Sequence, residues 1–112
     1  MATFLMIMKD TPQTCPLFNA QSAKAYSDWL AKLPDINKKY GIRHLASCTV
    51  IQGEHVSTII VEAPSLEAVQ RATMEPEYFA LYKFGTIEIQ PALSGEETVK
   101  LMQQQFQQQR TP

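Results

Sequence analysis

Thr3-Phe4-Leu5-Met6-Ile7-Met8-Lys9 decides the fold of this chain. Phe4 to Met8 is apolar without interruption. A run this short, apolar at odd and even positions alike, reads as a strand covered on both faces. Side chains alternate along a strand, so Phe4, Met6 and Met8 share one face and Leu5 and Ile7 the other. Asp10-Thr11-Pro12 ends the run, and Cys15-Pro16 prolongs the loop.

Downstream, Asn19 is positioned to cap a helix. Ala23, Tyr26, Leu30, Leu33 and Tyr40 follow at helical spacing. Pro34 removes a backbone donor inside that pattern and predicts a kink or break. Lys38-Lys39-Tyr40-Gly41 is a helix end, with lysines on the negative pole and a glycine for the left-handed cap. Arg43–Ile51 and Val56–Glu62 are β-rich, and Gln52-Gly53-Glu54-His55 joins them as a hairpin turn. Ser65 caps a second helix with Leu66, Val69 and Thr73 inside. Pro76 restarts or kinks it, and Phe79, Leu81 and Tyr82 add further apolar contacts. Phe84–Gln90 is the last strand, with Ile87 and Ile89 opposite Thr86, Glu88 and Gln90. Ser94 followed by Glu97 forms a capping box. Val99, Met102 and Phe106 make one stripe beyond it, among glutamines. This tail either frays after Phe106 or packs on a partner subunit.

The order strand, helix, strand, strand, helix, strand is the split βαβ arrangement. It predicts a ferredoxin-like α+β domain over 1–93, with a four-stranded antiparallel sheet, and a C-terminal helical extension over 94–112. Both helices cover the same sheet face. One apolar set of the first strand then lacks a cover within one chain, and such a patch marks an interface. A homodimer packed sheet to sheet is expected.

The 112 residues amount to one domain, large enough to bury a core without metal or disulfide. A formal net charge of -1 offers no basic surface for phosphates, so nucleic acid is excluded as a partner. No stretch has the length of a membrane span, and the apolar N-terminus lacks the basic start of a signal peptide. Cys15 and Cys48 lack metal-type spacing and read as free thiols of a cytoplasmic protein. A disulfide between them is the other option. His44 and His55 are the only imidazoles; His55, beside the turn, is expected in solvent. Neither histidine lies in an expected helix. No phosphate loop, nucleophile elbow or His-x-x-x-His pair occurs.

The element order resembles the dimeric α+β barrel superfamily, over residues 3 to 93. The resemblance rests also on Glu62-Ala63-Pro64-Ser65-Leu66-Glu67-Ala68, where a strand hands over to the second helix, and on the acid–proline step Met74-Glu75-Pro76-Glu77. Members include cofactor-free monooxygenases, muconolactone-isomerase-like proteins, YciI-like proteins and uncharacterised families of about this length. The resemblance implies a ligand cavity on the sheet face away from the helices. Haem-binding relatives present a histidine from a helix, so haem is not expected. YciI-like relatives use a histidine–aspartate dyad; Glu75 falls at the place of the acid, but no histidine follows the first strand.

A two-residue turn at Gly53-Glu54 pairs Thr49 with Thr58, Ser47 with Ile60 and Leu45 with Glu62. Paired residues share a face, and a shift of one residue inverts it. The cavity face then carries Ser47, Thr49, Thr58, Glu62, Thr86 and Glu88, while His44, at the start of the second strand, can face the core, the solvent or a pocket. Glu62 and Glu88 are the acid/base candidates, because an enclosed carboxylate holds its proton more tightly. Ser47, Thr49, Thr58, Thr86 and His44 are the ligand-binding candidates. The expected function is binding of a small organic ligand on the sheet face, without cofactor or metal. The alternative is a cofactor-free isomerase or monooxygenase acting on a small organic acid or aromatic.

Overall fold

The apolar run extends from Ala2 to Asp10 as strand β1 in the computed structural model, which describes residues 1–50 and 53–110. Helix α1 (Ala20–Tyr40), strands β2 (Arg43–Thr49) and β3 (Val56–Ala63), helices α2 (Leu66–Ala72) and α3 (Pro76–Tyr82), strand β4 (Gly85–Ala92) and helix α4 (Gly95–Arg110) follow. The four strands form one antiparallel sheet in the order β2-β3-β1-β4. This is the expected ferredoxin-like arrangement, with the additional C-terminal helix. Ile51, placed at the end of the second strand by sequence, and Gln52, placed in the turn, lie outside the described residues, as do Thr111 and Pro112 of the extension.

The alternation in β1 holds. Phe4 and Met6 are buried, and Met8 packs against the same core. Ile59, Val61 and Ala63 of β3 join them beneath Trp29, Leu33 and Ile36 of α1. Val69 and Ala72 of α2 and Tyr78 of α3 close the layer. Each large apolar side chain buried here contributes about 1.5–3 kcal/mol by leaving water. Leu5, Ile7, Thr58 and Ile60 fall on the opposite face, along which no helix packs among the described residues, the first turn of α4 only bordering a concavity beside Leu5 and Ile60.

Asn19 caps α1 as expected, its side chain accepting from the Ser22 N–H at 2.9 Å, and Gly41 ends the helix at φ 68°. Of the kink or break expected at Pro34, the break is absent: α1 continues as one helix of 21 residues. Trp29, Leu33 and Ile36 bracket the proline and hold both halves on the core. Packing therefore outweighs an interior proline's penalty of about 3 kcal/mol. Leu30, expected inside, is half exposed, and Trp29 is buried instead. Ser65 and Pro76 start α2 and α3 as expected. Phe79 and Tyr82 are exposed, while Tyr78 takes the inward position.

The capping box at Ser94 forms in both directions. Glu97 N–H donates to Ser94 Oγ, and Ser94 N–H to Glu97 Oε1, each at 3.1 Å. No other element packs along α4 among the described residues, and Val99, Met102 and Phe106 are more than half exposed. The radius of gyration is 16.9 Å, against roughly 13 Å for a compact chain of this length. No described helix is long and apolar enough to cross a membrane.

Candidate functional site

The β2–β3 register decides where the expected site residues lie. A Val50 N–H to Val56 carbonyl bond of 2.9 Å closes a five-residue connection in place of a two-residue turn. Gly53 sits in it at φ 87°, as a turn requires. Thr49 therefore pairs with Ser57, Cys48 with Thr58 and Ser47 with Ile59, one residue away from the expected register. A bulge between His44 and Ala46 leaves His44 opposite Val61 and Arg43 opposite Glu62. Ile59 and Val61 face the core, so Ser47, Thr49 and His44 stand on the helix side. That corrects the expected position of Ser47 and Thr49 on the open face; for His44, which by sequence can face core, solvent or a pocket, it selects the helix side. Thr58 and Glu62 of β3, and Thr86 and Glu88 of β4, do lie on the open face.

Those four are not brought together. Glu62 pairs with Thr3 and Glu88 with Ile7, on opposite flanks of β1. Four residues along a strand and one strand on either side separate their Cα atoms by about 16 Å. Glu88 instead faces Lys9, 3.7 Å from its ammonium, and both are about half exposed. The two glutamates form no acid/base pair within one chain. Glu62 borders a concavity of about 560 Å³ with Leu5, Leu45 and Ile60.

Glu75 has a structural engagement. Its Oε1 accepts from Tyr40 Oη at 2.7 Å and from Lys39 Nζ at 2.8 Å. The two bonds hold its carboxyl below the usual carboxylate range, and the one from Tyr40 to Glu75 pushes the Tyr40 hydroxyl up. The residue at the place of the dyad acid thus ties the end of α1 to the start of α3.

A different group of side chains converges at the end of β1. The Asp10 N–H donates to the His55 carbonyl at 3.0 Å, which fixes these two residues opposite each other. Thr11 N–H bonds Thr14 Oγ1 at 2.9 Å, and the Cys15 carbonyl accepts from Phe18 and Asn19 N–H groups, both at 2.9 Å. The Asn19 amide donates to the Gln13 carbonyl at 2.9 Å. The loop so folded buries Cys15 beside the pair. One carboxylate oxygen of Asp10, the Cys15 sulfur and one imidazole nitrogen of His55 all lie within 4.8 Å of one another. Asp10 Oδ1 is 3.6 Å from His55 Nδ1, beyond hydrogen-bond reach; it is shielded from solvent and has no hydrogen-bond partner. Burial pushes the Asp10 carboxyl up, and the imidazole opposes that shift. His55 is mostly covered, contrary to its expected place in solvent; the Phe18 ring meets it edge-on at 6.4 Å.

These side chains border a cleft of about 330 Å³ between the hairpin and the first turns of α1. Leu17, Ala23, Tyr26 and Val56 supply its apolar wall, and Thr49 and Ser57 its polar edge. Of the expected ligand-binding residues, only Thr49 reaches it. Cys15 and Cys48 are both free.

No protein-family profile and no curated sequence matches this chain. Its fold is shared by solved structures. A 5-chloro-2-hydroxyhydroquinone dehydrochlorinase from Burkholderia phenoliruptrix, in complex with 2,5-dihydroxybenzoquinone, is similar at a TM-score of 0.63 and 17% identity, over 84% of this chain and 96% of that one. An uncharacterised NIPSNAP domain protein from Burkholderia xenovorans is similar at 0.56 and 11% identity, over 85% and 95%. An antibiotic biosynthesis monooxygenase, so described, from Caulobacter crescentus is similar at 0.54 and 16% identity, over 83% and 92%. The ferredoxin-like fold is thus common to this chain and to these proteins.

Proposed function

We propose that this chain binds a small, partly apolar organic molecule in the cleft between the β2–β3 hairpin and α1. The observation that carries this reading is the convergence of Asp10, Cys15 and His55 on a cavity of about 330 Å³ with an apolar wall. A few polar groups in an apolar cleft of that size suit a small ligand. A quinone or hydroquinone ring is the first class to test, since a structure of the same fold holds one. Thermal shift against a panel of small quinones, hydroquinones and benzoates is the experiment. Stabilisation is expected, and it is expected to vanish in Ala23→Trp, which fills the cleft. No shift from any of them, or a shift unchanged in that variant, overturns the reading.

A second reading is a cofactor-free isomerase or monooxygenase. The grouping of thiol, imidazole and carboxylate favours it, since such groups can move a proton on a bound organic acid or aromatic. Turnover that is retained in full by His55→Gln and Asp10→Asn variants removes it.

The protein also fits a cytoplasmic homodimer. Leu5, Ile7 and Ile60 lie on a sheet face that the helices leave uncovered, and a second subunit placed there would bury them. Thr58, Thr86, Glu62 and Glu88 would then line the interface. Residues 94–112 would serve as an extension that clasps the partner, with Val99, Met102 and Phe106 as its apolar stripe.

A further inference from the structure

We infer that Asp10, Cys15 and His55 form a binding site for one divalent metal ion of the zinc class. The inference deepens the reading of the cleft and rests on it only for what fills the remaining coordination position. Three residues from three segments each offer one ligating atom: a carboxylate oxygen from the end of β1, a thiol sulfur from the β1–α1 loop, and an imidazole nitrogen from the β2–β3 connection.

The Asp10–His55 spacing matches a shared ion, and the Cys15 sulfur lies within 4.8 Å of both. Zinc sits about 2.0–2.2 Å from nitrogen and oxygen donors in a tetrahedral shell. Two such donors around one ion are therefore about 3.4 Å apart. Asp10 Oδ1 and His55 Nδ1 are 3.6 Å apart, a separation too long for a hydrogen bond. The two groups are side by side without being bonded to each other.

Asp10 Oδ1 supplies an independent reason. It is closed off from solvent and has no hydrogen-bond partner. A carboxylate oxygen in that condition is costly to the fold. A cation between the three side chains gives it a partner. The backbone is already set for this. The Asp10–His55 bond fixes two ligands against each other, and the turn closed by Cys15 fixes the third.

Thiolate, imidazole and carboxylate together suit a borderline-soft ion and disfavour calcium or magnesium, which take oxygen donors. Three protein ligands leave a fourth position, and the adjoining cleft of about 330 Å³ lies where a water or an organic oxygen would occupy it. Binding would displace the Cys15 thiol proton to solvent and form the sulfur–metal bond; no electron changes hands.

The test is a titration of the chelator-stripped full chain with cobalt(II) and then zinc(II). One equivalent of cobalt is expected to produce a thiolate-to-cobalt charge-transfer band and the strong visible bands of a four-coordinate ion, and zinc to abolish both. Cys15→Ser is expected to lose the charge-transfer band. His55→Ala and Asp10→Asn are each expected to weaken binding by about tenfold or more. Cys48→Ser, on the exposed thiol, is expected to leave the spectrum unchanged. No thiolate band in the unmodified protein overturns the proposal, so its test stands even if Cys15→Ser fails to fold. A band lost in Cys48→Ser and kept in Cys15→Ser overturns it as well. Thermal shift with the organic panel in the presence of chelator reads the cleft alone, so loss of the metal site and loss of the ligand reading are separable results.

Discussion

The Tyr40 hydroxyl donates to the Glu75 carboxylate at 2.7 Å, and so joins the last residue of α1 to the residue just before α3. With the Lys39 bond it holds the Glu75 carboxyl below the usual range. A carboxyl whose native pKa is depressed contributes stability above its ordinary value of 4.5, and loses it as pH falls through the native value. Glu75→Gln is therefore expected to lower the melting temperature at neutral pH and to flatten its decline in acid. Glu97, held low by Ser94, leaves part of that decline in place. Melting curves from neutral pH to about pH 3 decide it. An acid limb as steep in the variant as in the parent would count against the assignment.

Pro34 sits exposed inside a helix that continues through it. Replacing it by alanine restores a backbone donor and removes the ring's crowding of the preceding turn. Pro34→Ala is expected to stabilise the protein by roughly 1–3 kcal/mol, read by urea unfolding. Unchanged or reduced stability would mean that the proline seats α1 on the sheet.

Leu5 and Ile60 pair across β1 and β3 on the uncovered face. If that face is the subunit interface, Leu5→Glu with Ile60→Glu converts the dimer to a folded monomer in light scattering. A parent protein that is itself monomeric would sink the assembly. Truncation after Leu93 that leaves the dimer intact would remove the clasping role of α4.

Gly85 pairs with Asp10 at the end of β1, and a Cβ there would run into the Lys9 carbonyl. Neither backbone can yield without opening the β1–β4 ladder. Gly85→Ala is expected to cost about 1–3 kcal/mol in chemical unfolding. It is also expected to weaken any ligand or metal held at Asp10. A variant as stable as the parent would show that the strands part easily there.

The sheet was legible because its information is periodic. Phe4 and Met6, Ile59 and Val61, and Ile87 and Ile89 each declare a face by alternation. The β2 register was not legible, since it depends on the length of the connection near Gly53, and one residue there moved Ser47 and Thr49 across the sheet. Trp29 displaced Leu30 because helical spacing does not fix which of two adjacent apolar residues faces the core. Asp10, Cys15 and His55 were missed because one strand end and two loop residues share no period. One signal was available: in the antiparallel β1–β3 ladder, where Lys9 faces Val56, the next position sets Asp10 against His55.

Gly85 also bears on which pairings the chain can try while it folds. Sliding β4 by one position along β1 turns Ile87 and Ile89 away from the core, and burial alone forbids it. Sliding it by two keeps both isoleucines inward, and burial alone does not resist it. That slide would set Lys83 or Ile87 where Gly85 stands, against a carbonyl that leaves no room for a side chain. The glycine thus acts as an alignment key, rejecting the misregistered sheets that hydrophobic patterning would accept.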